Sequence, residues 1–525
     1  MPGTRPAQAP DVLIVGGGTA GWLTAAILAK RCSLKITLIE SSDIPTIGVG
    51  EGTFPTIAKT LAALGVDEAE FMRESTAAFK QGIKFVDWAR PPEAGGHSHY
   101  YHPFALPREK DLDLLPYWLS GEAGEGVAFA DAVTLQNKVC DAGRAPKRAT
   151  DAPFRGPMNY AYHLDAARFG AFLAKVAKSL GVEHCVGTVG EVELDEQGAI
   201  AAVVTREHGR LTAGLYIDCT GFRSELLGSA LGVPFKDKNG VLFVDRAVTV
   251  QVPYENEDTA IPPYTISTAH EAGWTWDIAL AKRRGVGYVY SSRHTDESRA
   301  EAVLREYVGP AARDLAVRQL KLQVGWRERH WVKNCVAVGL SGGFLEPLES
   351  TGIILIEAAA FHLVEALRPG ADREAEAFRF NACMTRRYER IVDFIKMHYC
   401  ITQRTDSAFW IENALPETAT DSLLAHLATW RERPPSPYDF AMEDESFAPA
   451  NYRFILYGMG FKTIPRRSRN PDPCVTLARQ EFARVHDAAK RAVAALPPHR
   501  ELLERLYQAG FSFSGTGQLS GAGRQ

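Results

Sequence analysis

Three observations place this chain in the α/β class. Four apolar residues, Val12-Leu13-Ile14-Val15, run straight into a glycine turn, Gly16-Gly17-Gly18-Thr19-Ala20-Gly21. A helix-forming stretch, Trp22 to Lys30, follows at once. Ile36-Thr37-Leu38-Ile39 then supplies a second strand that ends on an acid, Glu40. Strand, turn, helix and strand in that order predict a Rossmann-like unit.

The turn fits G-x-G-x-x-G through Gly16, Gly18 and Gly21. The first glycine permits a tight turn, the second lets backbone approach a pyrophosphate, and the third lets helix pack on strand. A helix N-terminus adds free N–H groups and the positive end of its dipole. Glu40 lies near the roughly 20-residue distance expected of a ribose-binding acid. A glycine turn alone also serves plain packing. With both strands and the acid in place, the pattern predicts a bound dinucleotide.

At 525 residues the chain exceeds a single core, so two intimately packed domains are expected. Its 46% hydrophobic and 23% charged residues are ordinary for a globular protein. A net charge of −4 argues against a bulk nucleic-acid binder, and no charge block marks a membrane surface. Met1 to Pro10 is rich in Pro and Ala, lacks the apolar core of a signal peptide, and is expected to be disordered. The most apolar helical stretch, Gly352 to Leu367, carries Glu357, His362 and Glu365 and is too short to span a bilayer. Eight cysteines are scattered without C-x-x-C, which suggests neither a metal site nor a disulfide framework. A cytoplasmic protein is the simplest expectation.

Between Ser41 and Pro55, three glycines and two prolines predict a long loop, the kind that is usually functional. It follows Glu40 directly and is placed to cover a cofactor. Helical periodicity resumes from Ile57 to Leu64 and from Glu68 to Phe79. Ile83 to Trp88 alternates like a strand, with Lys80 just ahead of it. Alone, such a lysine has the ordinary reading of a solvated surface residue. Residues 90 to 160 show little periodicity and read as an insertion. A helix is expected from Ala166 to Leu180. Strands follow at 182–189, 191–194, 199–205 and 211–217, the last leading into Asp218 and Gly221. A second glycine turn that would bind NAD(P)H is not apparent.

From 241 to 252 and 264 to 290 the pattern is mostly strand. It includes Trp274, Trp276 and Ile278, which share one strand face; three large residues filling a core is the plain reading. The strand Cys335 to Leu340 enters Leu345-Glu346-Pro347-Leu348-Glu349-Ser350-Thr351-Gly352, and Ile353 to Leu367 reads as a helix. Ser or Thr caps with an acid nearby stabilise a helix start by about 1 kcal/mol, yet the same start is an anion site. Beyond 375 the chain is mainly helical, with aromatic surface at 405–410 and 452–461. Gly515 to Gln525 is small and polar and is expected to be a disordered tail.

Taken together, these segments resemble the flavin-dependent tryptophan halogenase family, in the same order over almost the whole chain. The resemblance is carried by Gly16 to Trp22, the V-G-E-G-T run Val49 to Thr53, Lys80 before its strand, W-x-W-x-I at Trp274 to Ile278, and L-E-P-L-E-S-T-G-I at Leu345 to Ile353. It implies an oxidoreductase that uses FAD as FADH2, O2 and chloride or bromide to make hypohalous acid, which then substitutes an electron-rich, indolic arene. Reduced flavin would come from a separate NAD(P)H-dependent flavin reductase. The fold implied is a Rossmann-like FAD domain of the glutathione-reductase type, with a mainly helical substrate region packed against it. Residues 11–370 would form the FAD-binding and halogenating core, with the insertion at about 90–160. Residues 371–514 would form the substrate region. A homodimer stays open.

The resemblance also assigns roles. Lys80, Glu349 and Ser350 would be catalytic, Lys80 meeting hypohalous acid and Glu349 accepting the arene's proton. Thr351 and Gly352 would hold halide. Cofactor contacts would come from Gly16, Gly18, Thr19, Ala20, Gly21, Glu40, Ile47, Gly48, Val49, Glu51, Val189, Asp218, Gly221, Leu340 and Ile353. Trp274 and Trp276 would separate substrate from flavin. The pattern departs from the family twice. Ala279 replaces the proline expected after Ile278. The region from Pro435 to Tyr457 lacks a Tyr-Tyr pair followed by a matching Glu, so a handle for free tryptophan does not carry over; an indole, another arene or a peptide-like molecule fits equally. Two other readings remain: a single-component flavin hydroxylase sharing the glycine turn, and a flavin-binding protein without turnover.

Overall fold

The computed structural model describes residues 11–43, 50–93, 96–107, 112–440, 445–465 and 473–511. The opening strand, Val12–Val15, lies inside a six-stranded sheet and is buried along its length. It pairs in parallel with Ile36–Glu40 on one side and Leu215–Asp218 on the other. Glu183–Val186 and Cys335–Ala337 extend the parallel set outward, and Trp331–Val332 adds an antiparallel edge. Unbroken apolar runs suit such strands because a parallel sheet is covered on both faces. The helix Gly18–Arg31 covers one face and packs against the helices Ala166–Ser179 and Thr351–Ala366.

The glycine turn is held by close approach. Gly16 has φ +103°, and a Cβ there would lie 2.3 Å from the carbonyl oxygen of Cys219 on the neighbouring strand. A Cβ on Gly21 would lie 2.0 Å from the oxygen of Gly16. Neither position admits a side chain.

A seven-stranded sheet forms the second layer. Its order is Val317–Lys321, Arg246–Pro253, Arg283–Tyr290, Gly273–Ala279, Thr265–His270, Gly82–Val86 and His99–Pro103. The strand expected from Val241 begins only at Arg246. Every residue of Gly273–Ala279 is buried, so both of its faces are covered. The outermost strand, His99–Pro103, falls within the stretch that reads as an insertion. That stretch also holds the short helices Leu115–Leu119, Phe129–Val133 and Gln136–Asp141. Periodicity misses this strand because Tyr100 and His102, on its inner face, and His99 and Tyr101, on its outer face, offer no contrast between apolar and polar residues.

The helix expected to run from Glu68 to Phe79 stops at Glu74. Asp67 caps its start by accepting the N–H of Glu70. Thr76, at φ +50°, ends it, and the N–H of Ala77 turns back to the oxygen of Met72. Ala78–Lys80 then forms a strand of its own, so Lys80 lies in a strand and not ahead of one. Its partner Ala161–Asp165 pairs on its other side with Gly50–Gly52. This small sheet brings the cover segment beside Lys80. The long helix Arg373–Cys400 is capped at its start by Asp372, which accepts the N–H groups of Glu374 and Ala375. Among the described residues no helix is long and apolar enough to cross a membrane.

Candidate active site

The glycine turn presents a cradle. Gly17 gives the first helix no side-chain cap, so the N–H groups of its first turn are not taken up by a capping side chain. Gly18, at φ +70°, and Gly221, also at φ +70°, have no atom within 4 Å of where a Cβ would stand. Thr19 and Ala20 sit half-buried at the same turn, and the turn carrying Leu340 packs on Ala20 through Gly339. Glu40 folds over Gly17, with Oε1 3.0 Å from His184 Nε2. Val189 starts a strand beside that acid, and its neighbour Thr188 bonds Ser41 through the two hydroxyls at 2.8 Å. An uncapped helix start, open turns and a flanking acid fit the pyrophosphate and ribose of a dinucleotide. Asp218 stands differently: it is fully buried, and its carboxylate accepts the N–H groups of Thr220, Leu226 and Leu227, so its side chain shapes the turn from inside. Glu51 lies opposite Leu164, and burial followed by the Asp165 carboxylate pushes its carboxyl up to about 7. Ile47, Gly48 and Val49 lie outside the described residues.

Lys80 and Ser350, 270 residues apart, meet in the interior. Lys80 is fully buried, and its Nζ donates to Ser350 Oγ at 2.9 Å. Burial lowers its ammonium to about 7, with Glu349 pulling the other way. Ser350 adopts the left-handed region, φ +57°, a strain of order 1–3 kcal/mol that surrounding structure must hold. It occupies the N-cap of Thr351–Ala366 but makes no side-chain cap bond, because its hydroxyl faces Lys80. The first turn at Thr351 and Gly352 is therefore uncapped, and nothing lies within 4 Å of a Cβ on Gly352. A helix start of this kind offers free N–H groups and the positive end of its dipole to an anion. Ile353, buried, anchors the same turn in the core.

Glu349 sits next to this pair in sequence and is 1% exposed. Its Oε2 is 2.9 Å from His102 Nδ1, and its Oε1 is 3.1 Å from His398 Nε2. Burial opposes an ionised carboxyl here, but His102 and then His398 outweigh it and hold the group at about 2. The site thus joins a weakened ammonium to a strong carboxylate inside protein. Sequence reasoning missed both histidines. His102 precedes Glu349 by 247 residues and His398 follows it by 49, so no motif spacing links them.

Aromatic rings surround the group. Lys80 Nζ lies 5.3 Å from the centre of the Phe104 ring. Phe54 packs on Phe104 and Phe447 at 6.1 and 5.6 Å, and Phe447 stacks on Phe394 at 3.7 Å. Trp274 and Trp276 stand edge to face at 6.4 Å. Trp276 borders a cavity of about 420 Å³ beside Gly50 and Arg283. Trp274 lies deeper, against Trp88 at 6.1 Å. Glu346, also buried, is pushed up to about 8 by burial, with Tyr399 and Trp274 acting against it. It completes the interior face of this tryptophan wall.

Comparison with known proteins agrees with this geometry. The tryptophan halogenase family model matches residues 11–474. The tryptophan 6-halogenase SttH of Streptomyces toxytricini is 37% identical, covering 95% of this chain and 99% of its own. The 7-chloro-L-tryptophan 6-halogenase KtzR of Kutzneria sp. is also 37% identical, covering 94% and 99%. The crystal structure of a tryptophan halogenase from Shewanella frigidimarina superposes with a TM-score of 0.92 at 39% identity, covering 97% of this chain and 99% of that one. An uncapped dinucleotide cradle, a buried Lys80 and a likeness running nearly end to end converge on one conclusion: the chain belongs to the tryptophan halogenase family and is a flavin-dependent halogenase.

Proposed function

We propose that this enzyme halogenates an electron-rich, indolic arene with hypohalous acid, using Lys80 and Glu349 as the catalytic pair. The observation that carries this reading is the meeting of Lys80, Ser350 and Glu349 in one buried, aromatic-walled place. Residues 11–370 supply the cradle, Lys80 and Glu349. Residues 371–514 supply His398, Phe394 and Phe447 on the substrate side.

Gly16 to Gly21, Glu40, Glu51, Val189, Gly221, Leu340 and Ile353 would hold FAD. Bound as FADH2 from a separate reductase, FAD supplies with O2 the oxidising power that turns chloride or bromide into hypohalous acid. The uncapped turn at Thr351 and Gly352 holds the halide anion. Trp274 and Trp276 keep arene and flavin apart.

The reagent then meets Lys80. As ammonium, Lys80 donates a hydrogen bond to the oxygen of the hypohalous acid and polarises its O–X bond. As amine, which burial makes accessible near pH 7, it takes the halogen: an N–X bond forms, O–X breaks and water leaves. The arene's π electrons attack X and give a ring cation. With Lys80 as ammonium, the O–X bond breaks and the oxygen leaves as water on taking a proton from Lys80. With Lys80 as haloamine, the N–X bond breaks and its electron pair returns to the lysine nitrogen, which takes a proton from water. Glu349 removes the ring proton, and the C–H electrons restore aromaticity. An anionic carboxylate is the right acceptor for that step. Within the stretch 435–457, Phe447 and Tyr452 pack on Phe394 at 3.7 and 4.8 Å, and Phe454 packs on His102 at 6.4 Å. Stacking on an indole or a related arene is the recognition this supports.

The test supplies a flavin reductase, NADH, FAD, O2 and bromide or chloride, and screens indole, tryptophan and phenols by mass spectrometry. Monohalogenated product is expected, with no product from a Lys80→Ala variant that still binds FAD. Undiminished product from that variant would overturn the roles. Rapid bleaching of bound FAD by NAD(P)H alone, with hydroxylated product, would instead establish a single-component hydroxylase.

A further inference from the structure

Building on the assignment of Glu349 as proton acceptor, we propose that Asn451 is a positioning residue that locks His102 in its neutral, Nδ1-protonated form. The two imidazoles around Glu349 are thereby unequal, one neutral and one cationic.

The hydrogen bonds fix the protons. Asn451 Oδ1 accepts the backbone N–H of Ala448 at 2.7 Å. A backbone N–H only donates, so this bond settles which end of the amide carries oxygen. Asn451 Nδ2 then faces His102 Nε2 at 2.8 Å. An amide nitrogen offers only hydrogens, so His102 Nε2 must present its lone pair. The ring proton is on Nδ1 and is donated to Glu349 Oε2. His398 is the opposite case. Its Nδ1 lies 2.9 Å from the carbonyl oxygen of Phe394 and must carry hydrogen. Its Nε2 faces the other oxygen of the ionised Glu349 and must carry hydrogen too. His398 is therefore an imidazolium.

The fold makes this arrangement specific. Asn451 belongs to the helix Pro449–Gly458, and His102 to the strand His99–Pro103. Asn451 and Gly458, seven residues apart, share a helix face; Tyr100 and His102, two apart, share a strand face. A Cβ on Gly458 would fall 2.5 Å from the Tyr100 ring, so helix and strand are pressed together at that end. The same contact sets Asn451 over His102 at the other end. The remaining titratable groups acting on this carboxylate are Lys80, from Ala78–Lys80, and Tyr100; neither hydrogen-bonds the His102 ring.

A neutral His102 satisfies the Glu349 anion without adding a second cation. Two imidazolium partners would make the carboxylate a poorer base for the arene proton. Asn451, in the helix whose Tyr452 packs on Phe394 at 4.8 Å, thus sets the basicity of a residue it does not touch.

The test uses full-length protein labelled with 15N-histidine, with His102 signals identified by their loss in His102→Gln. At pH 7.5 the wild type should show His102 neutral with hydrogen on Nδ1. Asn451→Asp places a second acceptor at Nε2 and should make both His102 nitrogens protonated. In that variant kcat for halogenation should fall roughly tenfold and recover as pH rises, while KM for the arene and FAD affinity stay near wild type. Recovery at high pH separates this role from a merely structural one. An imidazolium or an Nε2-protonated ring in the wild type overturns the proposal, as does a wild-type pH profile in Asn451→Asp. If Asn451→Asp fails to fold, the wild-type spectrum decides alone. A wild type that makes no halogenated product would sink the catalytic reading while leaving the ring assignment tested by its own spectrum.

Discussion

Gly52 stands where any side chain would part Lys80 from Ser350: a Cβ there would lie 2.7 Å from Ser350 Oγ and 2.9 Å from Lys80 Nζ. It packs directly against Lys80 and Ser350, the pair proposed to meet the reagent. Gly52→Ala should fold, since the backbone at this strand position is open to alanine, and should bind FAD. Its turnover should drop at least about tenfold because Lys80 is pushed off line. Product formation at the wild-type rate, with FAD binding followed by fluorescence, would refute this coupling.

Removing His398 tests how Glu349 is kept ionised. The Glu349 carboxyl is held at about 2 against an ordinary 4.5, so it adds stability above pH 4.5 that is lost as pH falls through 2. His398→Phe removes one of the two donors and should shift the acid limb of kcat to higher pH. A buried carboxylate left short of a partner costs roughly 3–5 kcal/mol, readable by urea unfolding at pH 7. An unshifted pH profile in a folded variant would show that His102 alone suffices.

Lys80 makes the opposite demand on stability. Its ammonium is lowered to about 7 from 10.5, so the unfolded chain binds more protons between those values and stability rises with pH across that window. Below pH 7 the penalty is present in full. Lys80→Met should therefore melt higher than the parent at pH 7 while losing halogenation, and the gap in Tm should narrow toward pH 10. A lower Tm at pH 7 would mean that the bond to Ser350 outweighs the cost of burial.

Trp276 packs flat on Gly287, where a Cβ would fall 2.2 Å from its ring. Trp276→Ala should leave a cavity and cost about 3–5 kcal/mol. With the ring in its proposed place between flavin and arene, its loss should raise the peroxide released per product formed. An unchanged ratio in a folded variant would assign the separation to Trp274 alone.

The sequence carried its strongest signals where physics is local. Val12 to Gly21 reads as strand, turn and helix because each residue's burial and backbone freedom follow from its neighbours, and the six-stranded sheet appears around it. Glu349 to Gly352 reads as a helix start for the same reason. The strand His99–Pro103 was hidden because its two faces carry residues of similar polarity. The helix ending at Glu74 was overrun because Ala77 to Phe79 continues an apolar pattern across the break at Thr76.

By itself the chain determined the α/β class, the glycine turn and the family's motifs, with Lys80 and Glu349 among them. Tertiary structure alone decided that Lys80 is dry and bonded to Ser350, that His102 and His398 grip Glu349 from either side, and that Asn451 orients one of them. Those facts rest on contacts between residues up to 349 positions apart. Their energies come from burial and proton placement, which take form only when strand, helix and cover segment close on one another.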